Sequence, residues 1–119
     1  MNNIVKLQNT LKEKSLDALM LTSATNRLYA TGFTSSAGIA VITPSQSYFI
    51  TDSRYIEAAG IAIGDAAEVL LVKAGKNYVD YINGFVAKHS IKQLGFEERA
   101  VSYSEFCDYN EKIKAELVP

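Results

Sequence analysis

Hydrophobic and polar positions alternate with a helical period at the start of the chain. Ile4, Leu7 and Leu11 share one side, and Lys6, Lys12, Glu13 and Lys14 take the other. This predicts an amphipathic helix that closes at Ser15. The short apolar run 16–21 suits a strand covered on both faces. A polar stretch follows, in which residues 26–30 are expected to make one helical turn that buries Leu28 and Tyr29 and is broken at Gly32. Residues 39–42 and 48–50 are rich in branched and aromatic side chains, with Pro44-Ser45-Gln46 between them, and this predicts an antiparallel hairpin. Tyr55, Ile56, Ala59 and Ile63 mark the buried face of a helix ended by Gly64, with Asp52 or Ser53 as its expected cap.

The second half repeats the alternation. Residues 68–72 read as a strand and 74–77 as a turn. Tyr78, Tyr81, Ile82, Phe85 and Val86 fall at helical offsets, although Asn83-Gly84 lies inside the pattern, where glycine costs about 1 kcal/mol against alanine. Residues 91–96 predict another strand. Ser102 and Glu105 have the spacing of a capping box, with Val101 placed as a staple, and open a last helix whose face is Phe106, Ile113 and Leu117. Strands interleaved with helices predict an α/β fold in three layers: a mixed sheet of about five to six strands with one hairpin, flanked by helices.

Composition narrows the function classes. A chain of 119 residues is expected to form one domain over residues 1–119. A net charge of −1 is no basis for neutralising a phosphate backbone, so nucleic acid is not an expected partner. The single cysteine, Cys107, excludes an internal disulfide and suits a reducing compartment. No apolar run approaches the roughly 20 residues of a membrane span. The start lacks a basic region followed by an apolar one, so neither a leader nor a membrane partner is expected, and a cytoplasmic location is.

Few residues sit at catalytic spacing. His89 is the single histidine and has no carboxylate or second histidine at ligand spacing, so no metal is expected in this chain. Cys107 has no base near it in sequence, and no G-x-S-x-G elbow occurs, so no catalytic residue is assigned. Ala74-Gly75-Lys76-Asn77 lacks the first glycine and the Ser or Thr of a phosphate loop. Asp52 and Arg54, two residues apart at a strand-to-helix junction, read as a cap with an ion pair. The small-residue loop Thr34-Ser35-Ser36-Ala37 is mobile unless it is held.

Three stretches in register carry a resemblance: Asn26, Tyr29 and Thr31-Gly32-Phe33; then Thr51-Asp52-Ser53-Arg54-Tyr55; then Leu94-Gly95-Phe96-Glu97. Together they resemble the amino-terminal domain of the creatinase, prolidase and aminopeptidase P family, the "pita-bread" metallopeptidases. The resemblance implies a non-catalytic domain of an Xaa-Pro aminopeptidase or Xaa-Pro dipeptidase. Two divalent ions, manganese or cobalt, would sit in a separate carboxy-terminal catalytic domain absent from this chain. It also implies a homodimer acting on proline-containing peptides, in which Phe33, Thr34, Ser35, Ser36 and Ala37 help to close the partner's substrate pocket. Asn26, Tyr29, Gly32, Asp52, Arg54, Tyr55 and Glu97 would be structural support. The alternative is a free-standing binding or assembly module that kept the fold and has no peptidase activity.

Overall fold

The computed structural model describes residues 3–35 and 37–119. Six strands form one mixed sheet: β1 (Ala18–Leu21), β2 (Ile39–Ile42), β3 (Ser47–Thr51), β4 (Glu68–Leu71), β5 (Gln93–Phe96) and β6 (Glu116–Val118), in the order β4-β3-β2-β1-β5-β6. The hairpin forms as the pattern predicts, with Ile39 opposite Ile50 and Ile42 opposite Ser47. β1 pairs antiparallel with β2 and parallel with β5. β3–β4 and β5–β6 are also parallel.

The sheet buries a different set of side chains on each face, as the period of two requires. One face carries Leu21, Ala40, Ile42 and Phe49 beneath α1 (Ile4–Glu13), α2 (Ala24–Thr31) and α3 (Ile56–Ile63). The other carries Met20, Val41, Ile50 and Leu94 beneath α4 (Tyr78–His89) and α5 (Tyr103–Lys112). β2 and β3 are buried along their whole length, so they read as unbroken apolar runs.

Four local expectations need correction. The helical turn at 26–30 is a full helix, α2, capped by Ser23, whose hydroxyl accepts from the Asn26 N–H. Its buried stripe is Arg27, Ala30 and Thr31, which rotates Leu28 and Tyr29 outward to 43% and 42% exposure. The helix after β3 is not capped by Asp52 or Ser53. It starts only at Ile56, and the Asp52 carboxylate turns back to accept from the Arg54 N–H instead. The strand predicted over 16–21 spans only Ala18–Leu21, because Leu16 N–H still bonds Leu11 at the close of α1.

The last helix ends at Lys112, and the residues after it form β6. Ile113 and Leu117 fit a helical period, but the open edge of β5 supplies a backbone ladder that outweighs it: Glu116 N–H donates to the Lys92 carbonyl. Asn83 enforces the break. Its side-chain amide donates to the Lys112 carbonyl and accepts from the Lys114 N–H, both at 2.9 Å, acting as a surrogate peptide group between the helix and the strand. This accounts for an asparagine inside α4. The α5 capping box forms as predicted, and a second one, Asn77 with Asp80, opens α4.

Asp17 pins the start of the sheet. Its carboxylate accepts from the Lys92 and Gln93 N–H groups at 2.9 Å each, joining β1 to β5 across 75 residues of chain. Those N–H groups hold its pKa below the usual carboxylate range. A depressed folded-state pKa stabilises the fold above the ordinary carboxylate pKa, and that stabilisation is lost as the pH falls through the folded-state value. Replacing Asp17 with alanine should therefore cost about 1 kcal/mol at neutral pH, at the low end for charged hydrogen bonds because the site is solvated. The difference from the parent chain should shrink below the ordinary carboxylate pKa, as read by urea unfolding at a series of pH values.

Candidate functional site

Five strands run in one direction and β2 runs against them, so the carboxyl ends of β1, β3, β4, β5 and β6 share an edge with the amino end of β2. Parts of all three resembling motifs come to this edge. α2 leaves β1 there, the loop over residues 33–38 enters β2 there, Asp52 to Tyr55 follow β3, and Glu97 follows β5. The strand order reverses between β1 and β5, the kind of crevice in which open α/β sheets place their ligands. Glu97 closes it by accepting the Ser23 N–H at 3.2 Å.

At the centre is Arg27, which was not singled out from the sequence. It is 4% exposed. One guanidinium nitrogen donates to the Thr22 carbonyl at the end of β1, and the other donates to the Ser35 carbonyl at 2.9 Å. Burial lowers its pKa, while the nearby Tyr78, Glu97 and Tyr55 act in the opposite sense. It remains a cation, since guanidinium does not deprotonate in proteins. The available signal was its position three and four residues before the small buried Ala30 and Thr31, on the stripe that faces the sheet.

The loop after Gly32 is held at three points. Gly32 is in the left-handed conformation at φ 76° and closes α2 by donating to the Leu28 carbonyl. Phe33 N–H donates to Thr31 Oγ1, Arg27 takes the Ser35 carbonyl, and Thr51 Oγ1 donates to the Ala37 carbonyl. Ser35 is buried, Thr34 is exposed and Ala37 is half-buried. Ser36 lies outside the described residues. Phe33 is a half-buried wedge, edge-on to Phe49 at 5.9 Å and to Tyr55 at 6.3 Å, and so joins the loop to the core and to the start of α3.

Asp52 and Arg54 form a bidentate ion pair with a shortest contact of 2.8 Å, and Arg54 also lies over the Tyr55 ring. The hydrogen-bonded guanidinium holds the Asp52 carboxyl below its usual range. The pair is solvated, so it contributes little to folding. Tyr78, at the first turn of α4, completes the rim; burial first, and then the charge of Asp52, raise its phenol pKa. Asn26 projects into solvent, and Tyr29 meets the rest of the fold through its carbonyl, which accepts from Asn3.

Among the described residues this edge is a polar platform of hydroxyls, carbonyls, one buried cation, the Glu97 carboxylate and one solvated ion pair. Among the described residues no three His, Cys, Asp or Glu side chains come together to hold a metal ion. His89 is far along α4 and is engaged with the buried Tyr48 hydroxyl at 2.6 Å. The donors in these residues do not fit a divalent metal centre. Cys107 is exposed on α5.

Comparison with known proteins bears on the same stretch. Residues 4–119 match the family model for the Creatinase/Prolidase N-terminal domain. The chain is 37% identical over 115 residues to a protein described as the uncharacterized peptidase YqhT of Bacillus subtilis, covering 96% of this chain and 32% of that protein. It superposes on the Xaa-Pro dipeptidase from Bacillus anthracis with a TM-score of 0.88 at 32% identity, covering 98% of this chain and 32% of that one. The isolated N-terminal domain of a putative metallopeptidase from Corynebacterium diphtheriae matches with a TM-score of 0.78 at 27% identity, covering 96% of this chain and 90% of that one. The chain thus spans about a third of the length of the first curated relative it matches.

Proposed function

The chain belongs to the Creatinase/Prolidase N-terminal domain family, and from that premise we propose that it is the non-catalytic amino-terminal domain of an Xaa-Pro aminopeptidase or Xaa-Pro dipeptidase. The parent protein is a cytoplasmic homodimer that hydrolyses the bond before proline with two divalent ions, manganese or cobalt, held in its carboxy-terminal catalytic domain. This domain shapes the far side of the substrate pocket in the partner subunit.

The observation that carries this reading is the held loop at the carboxyl edge. Its exposed Thr34 stands on backbone fixed at three points from two elements, α2 and β3, so a hydroxyl and neutral backbone groups are presented at a set position. A rim of this kind shapes and partly dehydrates a pocket without supplying its chemistry. It offers no loop charge, which suits contact with an uncharged part of a peptide. Arg27, wholly inside, is a positioning residue here.

The test uses the full-length gene product on Xaa-Pro dipeptides and on longer Xaa-Pro peptides, with manganese or cobalt added. Thr34→Trp should raise KM for the longer peptides about tenfold, equivalent to ~1.4 kcal/mol, with the unfolding midpoint unchanged. An unchanged KM would remove the loop from the pocket. The chain of residues 1–119 alone should show no turnover. Robust turnover by it would overturn the division of roles, and a full-length product with no further domain would favour the free-standing module.

A further inference from the structure

β4 ends the sheet on one side, and β3 is its one strand neighbour among the described residues. Its run Val69-Leu70-Leu71-Val72 is apolar and half-buried, with charges only at the ends, Glu68 and Lys73. An apolar edge strand is a template for another strand, and native sheets blunt such edges. One bond fixes which way its backbone groups point. Val72 N–H donates to the Thr51 carbonyl of β3. Successive residues of a strand turn their N–H and C=O groups to alternate sides, so those of Val69, Leu71 and Lys73 face away from the sheet.

Two of those outward groups are taken. Tyr81, on α4, donates its hydroxyl to the Leu71 carbonyl at 2.8 Å and accepts the Lys73 N–H at 3.2 Å. A residue of a parallel neighbour strand would bridge the same two groups with its own N–H and C=O. The phenol thus occupies the place of one residue of a further strand. Its ring is half-buried against the core beneath α4, so packing holds the hydroxyl in position. The Lys76 ammonium lies 6.0 Å from the centre of that ring and sets a charge beside the same edge.

We infer that the Tyr81 hydroxyl is a guard that stops the sheet from growing at β4. The strand it excludes is β4 of another copy, run antiparallel. The pairing that uses every outward group sets Leu71 opposite Leu71 and Val69 opposite Lys73. It needs both the Leu71 carbonyl and the Lys73 N–H, the two groups that Tyr81 holds. An incoming strand has to break both bonds before it gains its own. This is a contact that the native chain avoids, and it is separate from any dimer that serves activity.

Tyr81→Phe keeps the ring and removes both bonds. Sedimentation velocity and light scattering should show this variant assembling at a concentration tenfold or more below that of the parent chain. The Val69, Leu71 and Lys73 amides should be protected from hydrogen exchange in those assemblies. Adding Lys73→Pro to Tyr81→Phe should disperse them, because proline takes away the N–H that the pairing needs. Asp17→Ala is the control for lost stability, since it also removes two hydrogen bonds, but between β1 and β5. It should stay as dispersed as the parent. A dispersed Tyr81→Phe chain, equal assembly by Asp17→Ala, unprotected amides over 69–73, or a double variant that still assembles would each overturn the inference. None of these readouts uses peptidase activity, so the guard and the peptidase reading can fail separately.

Discussion

Arg27→Met is expected to lower folding stability by about 3 kcal/mol, since two backbone carbonyls lose charge-assisted hydrogen bonds worth about 1.5–3 kcal/mol each. Methionine fills the stem of the arginine but donates nothing. The Thr22 and Ser35 carbonyls would each lose a charged donor, and Glu97 at the β1–β5 crevice would lose a nearby cation. An unsatisfied buried acceptor costs about 1–3 kcal/mol, and the buried Ser35 carbonyl with the half-buried Thr22 carbonyl accounts for most of the loss. Arg27→Lys should recover part of it, because an ammonium on a flexible stem reaches one carbonyl at a time and cannot span two. The measurements are urea unfolding for the global term and amide exchange at residues 33–38 for the loop. Unchanged loop exchange in a folded Arg27→Lys variant would show that the guanidinium does not hold the loop.

Gly38→Ala is expected to be comparably damaging, about 2–4 kcal/mol. Gly38 has φ +144°, a conformation that a side chain strains whatever the space around it. A Cβ there would lie 3.0 Å from both the Ile50 carbonyl oxygen and the Phe49 ring. The carbonyl cannot retreat without disturbing the hairpin, in which Ile39 and Ile50 are paired, and Phe49 is wholly buried. Gly84→Ala is the control: its helical position has nothing within 4 Å, so it should stabilise α4 by about 0.5–1 kcal/mol. Opposite signs at the two sites, read from urea midpoints, are the expected result. A neutral Gly38→Ala would mean that the loop joins β2 with more freedom than its three anchors suggest.

How much was legible in the chain differs by element. The hairpin, the α4 stripe and the α5 capping box are local patterns, and each forms where it is predicted. The end of α5 was not legible. Ile113 and Leu117 satisfy a helical period and a strand equally well, and the choice falls to Asn83 and the open edge of β5, some 20 to 30 residues distant. Leu28 and Tyr29 look like core by composition, but three positions of α2 already face the sheet, so they turn outward.

By itself, then, the sequence determined the class of fold, its single hairpin and the family likeness carried by three short motifs. Each of those depends on neighbours along the chain or on side-chain periodicity. The tertiary structure decided that the motifs meet on one sheet edge and that a buried arginine ties the loop there. It also decided that the last segment is a strand. These outcomes turn on hydrogen-bond partners and strand edges far apart in sequence, which no local pattern encodes.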